Sequence, residues 1–560
     1  MKKTVFMIAS LLVLCVALVA CGNNGQTEGP SADRIMPTPA GEFPIVPEGT
    51  DITITLGVMT TPFIADWNTN YLIRWVEERS GVNIEFIEFP QEQMHERILL
   101  ALSTNDASNL PDAFLSRNMA TGPDTIFLPS FAPRWYNEGM ILPLNDMIDE
   151  WGYYLNIAFD MAYYEHGFPI KTWMTSADGN IYSFPSFSAS RTNMLPHKMW
   201  INQGWLDELG LDMPHTTEEF RDVLRAFRDR DPNAIPFTGA RLNMSYGYDF
   251  IINAFIYNQT NFSRMLVRND EVIFAPIQDE WRDAMQFLRE LHDEGLFDAG
   301  AFTQDQNTLR QIATSEDDIL GVFEALGRDQ VMVTDVYEIM DRFVAMPALT
   351  GPNGANYITI NSPTATANGI ITTAAEHPEV VFRVLDLFMS QEAAMITRYG
   401  ARGIHWDDAE PGMMTPWGIP ALWHVIENVW AQPGQNYNMF QQSPFILDPR
   451  VATGIAWDGN PRNSTFINAT SVMLLEETGT IPDQLIANLV FTMDELDATA
   501  GPRADIDAFV LQAIANFVAG SWDPFDDSDW NNFVSEFDRL GLDEFLDAVQ
   551  AAFDRQQALN

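Results

Sequence analysis

The sequence predicts an α/β chain organised as two lobes, and two observations carry that expectation. Short strand-like runs alternate with helical runs of ten or more residues, the signature of βαβ units on a largely parallel sheet. The chain has 560 residues, more than a single core serves at about 100–200 residues per domain. Hydrophobic residues make up 46% and charged residues 19%, a globular composition with ample apolar material.

The N-terminus comes first. Lys2 and Lys3 precede an apolar run from Val5 to Val19, too short to cross a hydrocarbon layer of about 30 Å comfortably and built like a secretory signal. Leu18-Val19-Ala20-Cys21-Gly22 resembles a bacterial lipobox, which implies removal of residues 1–20 and acylation of Cys21. Cys15 and Cys21 are the only cysteines, so processing leaves no thiol for a disulfide or a thiolate metal site. Residues 21–50 are rich in Gly, Pro, Asn, Ser and Thr without apolar periodicity, and are expected to form a flexible tether.

Order is expected from Asp51. Ile52, Ile54 and Leu56 alternate with threonines, a strand period. A polar and aromatic loop, 60–70, leads to a helix through Leu72, Trp75 and Val76, with Asn70 as its N-cap and Gly81 closing it. Val82–Phe89 alternates again as a strand; a helix over Gln91–Ser103 and a short strand over Leu110–Leu115 follow. Later helices are expected at 217–230, 279–294, 378–399, 483–496, 504–519 and 529–555, with strands at 318–323 and 369–373 between them.

Charge removes several function classes. Lys+Arg number 31 against 77 Asp+Glu, a net charge of -46, which argues against nucleic-acid binding and against docking on anionic lipid. Lysine occurs only at positions 2, 3, 171 and 198. There is no G-x-S-x-G elbow, H-E-x-x-H, P-loop lysine or strand-borne G-x-G-x-x-G. No catalytic residue, metal or cofactor is therefore expected. Asp407-Asp408 and Asp526-Asp527 offer the paired acids a glycosidase needs, but adjacent acids are common in so acidic a chain. Asp66, Asn68, Asn70 and Glu77 match part of a calcium-loop template, yet Tyr71 stands where that loop requires glycine.

Ordered motifs add a resemblance. The run Asn137–Asn145 (NEGMILPLN), the run Asp178–Pro185 (DGNIYSFP), Trp200–Leu211 (WINQGWLDELGL), Pro214–Phe220 (PHTTEEF) and Glu294–Phe297 (EGLF) are similar to stretches of extracellular solute-binding proteins of sugar ABC importers. Phe533–Phe545 (FVSEFDRLGLDEF) resembles the terminal helices of the large lipoprotein branch of that family. The match runs in order from about residue 51 to 555.

The resemblance implies a periplasmic-binding-protein-like (type II) fold, with two α/β lobes joined by hinge crossings and closing on a ligand. By that analogy the crossings fall near 184–190 and 357–369. Lobe 1 takes residues 51–186 and 360–400, and lobe 2 takes 187–359 and 401–560. Some relatives carry a calcium loop after an Asp-Pro-Asn, but here Asp231-Pro232-Asn233 runs directly into Ala234-Ile235-Pro236, without the further oxygen ligands. The implied function is capture of a sugar or oligosaccharide and delivery to an ABC permease, by a monomer lipid-anchored to the outer face of the bacterial cytoplasmic membrane. The alternatives are a peptide or other solute as ligand, or a surface glycoside hydrolase.

A sugar offers a C–H face to flat rings and a rim of hydroxyls to polar groups. The chain has 15 Trp, 14 Tyr and 37 Phe. Ligands of open α/β sheets lie beyond the carboxyl ends of strands, which nominates Thr61, Asp66, Trp67 and Arg117. Arg191 follows the first crossing. Arg241, Tyr246 and Tyr248 stand in a loop that mixes rings, arginine and amides, and Trp406 and Trp457 stand in two more of the same character. Arginine at such positions forks onto paired hydroxyls or a carboxylate.

Overall fold

The computed structural model describes residues 34–558 except 91–99, 101–103, 105–109, 116–128, 242–245, 261–262, 332–338, 340, 362, 430–433, 440 and 487–488. The predicted helix over 91–103 lies mostly outside the described residues.

Two sheets organise the chain. The larger has the order β14-β4-β11-β3-β1-β2, from Phe445–Ile446 (β14), Ser183–Phe187 (β4), Thr366–Ile371 (β11), Ala113–Leu115 (β3), Thr53–Met59 (β1) and Asn83–Phe89 (β2). β11 alone runs against its neighbours; the other pairings are parallel. The smaller sheet has the order β10-β5-β9-β6, from Phe343–Ala345 (β10), Met199–Asn202 (β5), Leu320–Glu324 (β9) and Ile235–Thr238 (β6). Each sheet has its own apolar core: Leu56, Phe114, Phe184 and Phe382 in lobe 1, and Ile201, Phe237, Leu288 and Phe517 in lobe 2. This is the α/β, two-lobe arrangement that the sequence predicts.

Local signals are honoured where they are strong. Asn70 caps the helix Tyr71–Ser80 by accepting from the Leu72 N–H, and Gly81 ends it in the left-handed region at φ 71°. Thr216 and Glu219 form a reciprocal capping box on the helix Thr217–Arg230. The predicted helix over 378–399 is two, Pro378–Phe388 and Gln391–Tyr399, because Ser390 caps the second. Gly541, at φ 80°, likewise splits 529–555 into Asp527–Leu540 and Leu542–Gln557. The helix expected at 483–496 begins only at Met493 and continues to Ala519.

Two boundaries differ from expectation. Residues 34–50 are not all tether: Ile45 and Val46 are buried in the lobe 1 core. Arg383, itself buried, donates to the carbonyls of Thr38, Pro39 and Glu42, tying the segment down. Residues 401–447 belong with lobe 1 rather than lobe 2. β14 extends the larger sheet beside β4, the Ala65 N–H donates to the Gln435 carbonyl, and Asn70 Nδ2 donates to Asn438 O at 2.8 Å. Among the described residues no helix is long and apolar enough to cross a membrane.

Candidate functional site

Among the described residues the chain passes between the lobes three times: after β4, before β11, and between β14 and the helix Ser464–Thr478. A cavity of about 500 Å³ opens where these crossings meet. The first crossing contributes Ser186, Ser188, Thr192 and Asn193, and the second contributes Thr364 and Thr366. Lobe 2 adds Leu326, Gly327 and Gln330 from the loop after β9, and Asn468 from the helix Ser464–Thr478. Lobe 1 adds Arg398, Gln441 and Phe445. Walls from both lobes and a lining of small hydroxyl and amide side chains suit a ligand held by hydrogen bonds.

Buried polar groups behind the walls fix them. Lys198, fully buried, donates from Nζ to the carbonyls of Thr192 at 3.1 Å, Leu195 at 2.5 Å and Leu326 at 3.0 Å. One ammonium thus joins the first crossing to the loop after β9. Asn368 Nδ2 holds the carbonyls of Gln441 and Ser443 at 3.1 and 3.0 Å, and Thr397 and Ser443 share a hydroxyl hydrogen bond of 2.6 Å. Deeper in lobe 2, His197 Nδ1 lies 2.6 Å from Glu324 Oε1. Burial pushes the Glu324 carboxyl up against the pull of His197. Burial lowers the His197 imidazole, but Glu324 outweighs it and raises it overall.

Three residues that line the cavity each carry a buried atom with no hydrogen-bond partner among the described residues: Ser188 Oγ, Gln330 Oε1 and Asn468 Oδ1. Among the described residues no group of His, Cys, Asp and Glu could hold a metal ion.

The residues nominated from sequence fare unevenly. Trp67 is buried and packs on Phe86 with ring centroids 5.5 Å apart; it belongs to the lobe 1 core. Trp406, buried in a cluster with Trp423 and Phe445, gives its ring N–H to the Gly400 carbonyl at 2.8 Å. Tyr248 is buried between Tyr246 and Phe302, and burial holds its phenol well above the ordinary range. All three are core residues because their rings bury more apolar area than a cleft wall would.

Asp66 caps a helical turn, accepting from the Asn68 N–H and the Thr69 hydroxyl; those hydrogen bonds, Thr69 first, hold its carboxyl below the usual range. Thr61 Oγ1 accepts from the Phe63 N–H in a turn. Trp457 stacks on Phe466 at 4.4 Å, which occupies one face of its ring. Arg191 pairs with Glu476. Tyr246 is half-buried at the outer end of the Tyr246–Tyr248–Phe302 stack, and Arg241 is exposed; both follow the carboxyl end of β6. Arg117 and Cys21 lie outside the described residues. None of the nine nominated ligand residues that are described lines the cavity at the crossings. Ser188 falls inside the crossing expected at 184–190, and that position was the available signal.

No protein-family profile matches the chain. It is 25% identical to the fructooligosaccharide ABC transporter substrate-binding protein FusA of Streptococcus pneumoniae, over 100% of this chain and 98% of that one. It is 26% identical to the lipoprotein LipO of Bacillus subtilis, over 37% of this chain and 44% of that one. The solved structure of the Streptococcus pneumoniae FusA in complex with kestose superposes with a TM-score of 0.68 at 22% identity, covering 91% of this chain and 100% of the other. An HMO-binding, ABC-transporter-associated solute-binding protein of Bifidobacterium longum infantis superposes with a TM-score of 0.71 at 18% identity, covering 90% and 99%. The chain is a full-length homologue of an ABC transporter substrate-binding protein and has the two-lobe fold of the solute-binding proteins that serve such transporters.

Proposed function

We propose that the chain is an extracellular lipoprotein that captures an oligosaccharide between its lobes and hands it, unaltered, to an ABC permease. The observation that carries this is the cavity at the crossings, walled by both lobes and lined by serine, threonine, asparagine and glutamine. A ligand there touches both lobes together only when they approach, so binding shifts the population toward closure. The oligosaccharide ligand of FusA, aligned over the whole chain, supports the same ligand class here. Acylated Cys21 anchors the chain, and residues 22–33 lie between that anchor and the first described residue.

Thermal unfolding across a panel of neutral tri- to pentasaccharides, with a peptide panel in parallel, tests this. Tight binding raises the midpoint by mass action. At least one oligosaccharide is expected to do so, and its mass is expected to be unchanged after recovery. A shift with peptides alone, or recovery of shortened sugars, overturns the proposal.

A further inference from the structure

We infer that one face of lobe 1 rests in the headgroup layer of the membrane that anchors the chain, with Tyr153, Ile157, Tyr163 and Tyr164 making the contact. This rests on the anchoring at Cys21 proposed above.

The first ground is what the face displays. Tyr153 precedes the helix Tyr154–Asp160, which widens into a π turn over Met161–Glu165. Along it Tyr153, Ile157, Tyr163 and Tyr164 are 42%, 50%, 54% and 79% exposed. Large apolar groups gathered uncovered on one element mark a contact surface. A π turn is rare and occurs mostly at functional sites. This one leaves two adjacent tyrosine rings in solvent, their centroids 5.0 Å apart. A tyrosine ring has an apolar body and a polar tip, which suits the boundary between acyl chains and headgroups. Asp160 is exposed on the same helix, so the face lies at that boundary rather than in the hydrocarbon. A headgroup layer without net negative charge suits it best, in keeping with the chain's net charge of -46.

The second ground is where the tether enters the fold. Arg34, the first described residue, pairs at 2.7 Å with Glu379 on the helix Pro378–Phe388. The segment then follows that helix, where Arg383 holds the carbonyls of Thr38, Pro39 and Glu42. Gly41 packs on the Tyr153 ring so closely that a Cβ there would fall 2.9 Å from Cδ2. The chain arriving from the lipid is therefore bound beside the tyrosine face. Residues 22–33 separate Cys21 from Arg34, and twelve residues span at most about 43 Å. A face held so near meets the membrane at high effective concentration, so a contact too weak to recruit a free protein still forms. Lobe 1 is then the half held still, and lobe 2 the half that closes on it.

Cys21 is the only cysteine of residues 21–560. Coupling it to a maleimide lipid in phosphatidylcholine vesicles anchors the chain whether or not cells acylate it. Hydroxyl-radical footprinting read by mass spectrometry compares this anchored chain with the same chain, its thiol capped, mixed with the same vesicles. Anchoring is expected to slow oxidation of Tyr153, Tyr163 and Tyr164 about threefold, a face engaged about two-thirds of the time. Tyr437, 46% exposed on the segment 401–447, is expected to keep its rate. In the double variant Ile157→Ser, Tyr164→Ser, with its unfolding midpoint checked, Tyr153 is expected to return to the rate of the free chain. Oxidation of all three tyrosines at free-chain rates overturns the inference, as does equal slowing of Tyr437. Slowing that grows with the density of protein on the vesicle also overturns it, because a second copy then covers the face. These outcomes leave the sugar-binding reading untouched. Retention of Cys21→Ala in the membrane fraction of the producing cells removes the proposed anchor and this inference with it.

Discussion

The guanidinium of Arg191 lies 4.5 Å from the centroid of the Trp417 ring and pairs with Glu476 on the helix Ser464–Thr478. Arg191 follows the first crossing, and Trp417 belongs to the segment whose body packs on the larger sheet. Its ring nevertheless reaches the core of lobe 2. The contact therefore joins the two lobes beside the crossings. If it favours the closed state, Arg191→Ala and Trp417→Ala each weaken ligand binding by about 3- to 30-fold, the range of a partly desolvated cation–π contact. Calorimetric titration of the single and double variants checks this, and the double variant is expected to lose less than the sum. Unchanged affinity in both single variants contradicts it.

Lys198 should matter for stability and binding together. Lys198→Met leaves the carbonyls of Thr192, Leu195 and Leu326 without the ammonium that holds them. The expected loss is about 2–4 kcal/mol of unfolding free energy, read from urea denaturation. The cavity walls on either side of it should lose register, so affinity falls as well.

Asp386 supplies a pH signature. Its carboxylate, on the helix Pro378–Phe388, accepts from the backbone N–H groups of Tyr153, Tyr154 and Leu155 at 3.2, 3.1 and 2.8 Å. Burial pushes it up to about 6, against the pull of those N–H groups and of Arg383. The folded state thus holds the proton more tightly than the unfolded chain. The contribution to stability is full below the ordinary value of 3.8 and is lost as pH rises through about 6. Its size is about 3 kcal/mol. Asp386→Asn should flatten the pH dependence of the urea midpoint between pH 4 and 6, relative to the parent chain, by about that amount. An identical slope contradicts the assignment.

Gly239 allows the loop after β6 to fold back on itself. A Cβ there would overlap the backbone carbonyl of Tyr246, and backbone cannot yield as a flexible side chain does. Gly239→Ala should cost about 1–3 kcal/mol of stability and displace Tyr246 from its stack on Tyr248, visible as a change in near-ultraviolet circular dichroism.

The anchor has its own test. Cys21→Ala should move the chain from the membrane fraction of the producing cells to the soluble fraction or medium. Retention in the membrane fraction contradicts lipid attachment at Cys21.

Local features were legible because local chemistry decides them. Asn70 at a helix start and Gly81 at its end act within one turn. The two-lobe α/β class followed from the alternation together with the chain length. The placement of residues 401–447 was not legible. β14 is two residues long and joins β4 across some 260 positions, and no periodicity encodes so distant a pairing. The cavity at the crossings was not legible for a related reason. Tryptophans and tyrosines stand out in a sequence, but Trp67, Tyr248 and Trp406 satisfy their rings in cores. Ser188, Gln330 and Asn468 look like ordinary loop or helix residues until the fold gathers them at one cavity.

A crystal structure of the chain grown with a saturating neutral oligosaccharide tests the central claim most directly. The sugar is expected at the meeting point of the three crossings, hydrogen-bonded to Ser188, Gln330 and Asn468, and intact. Density for the sugar on one lobe alone, away from those residues, would contradict it.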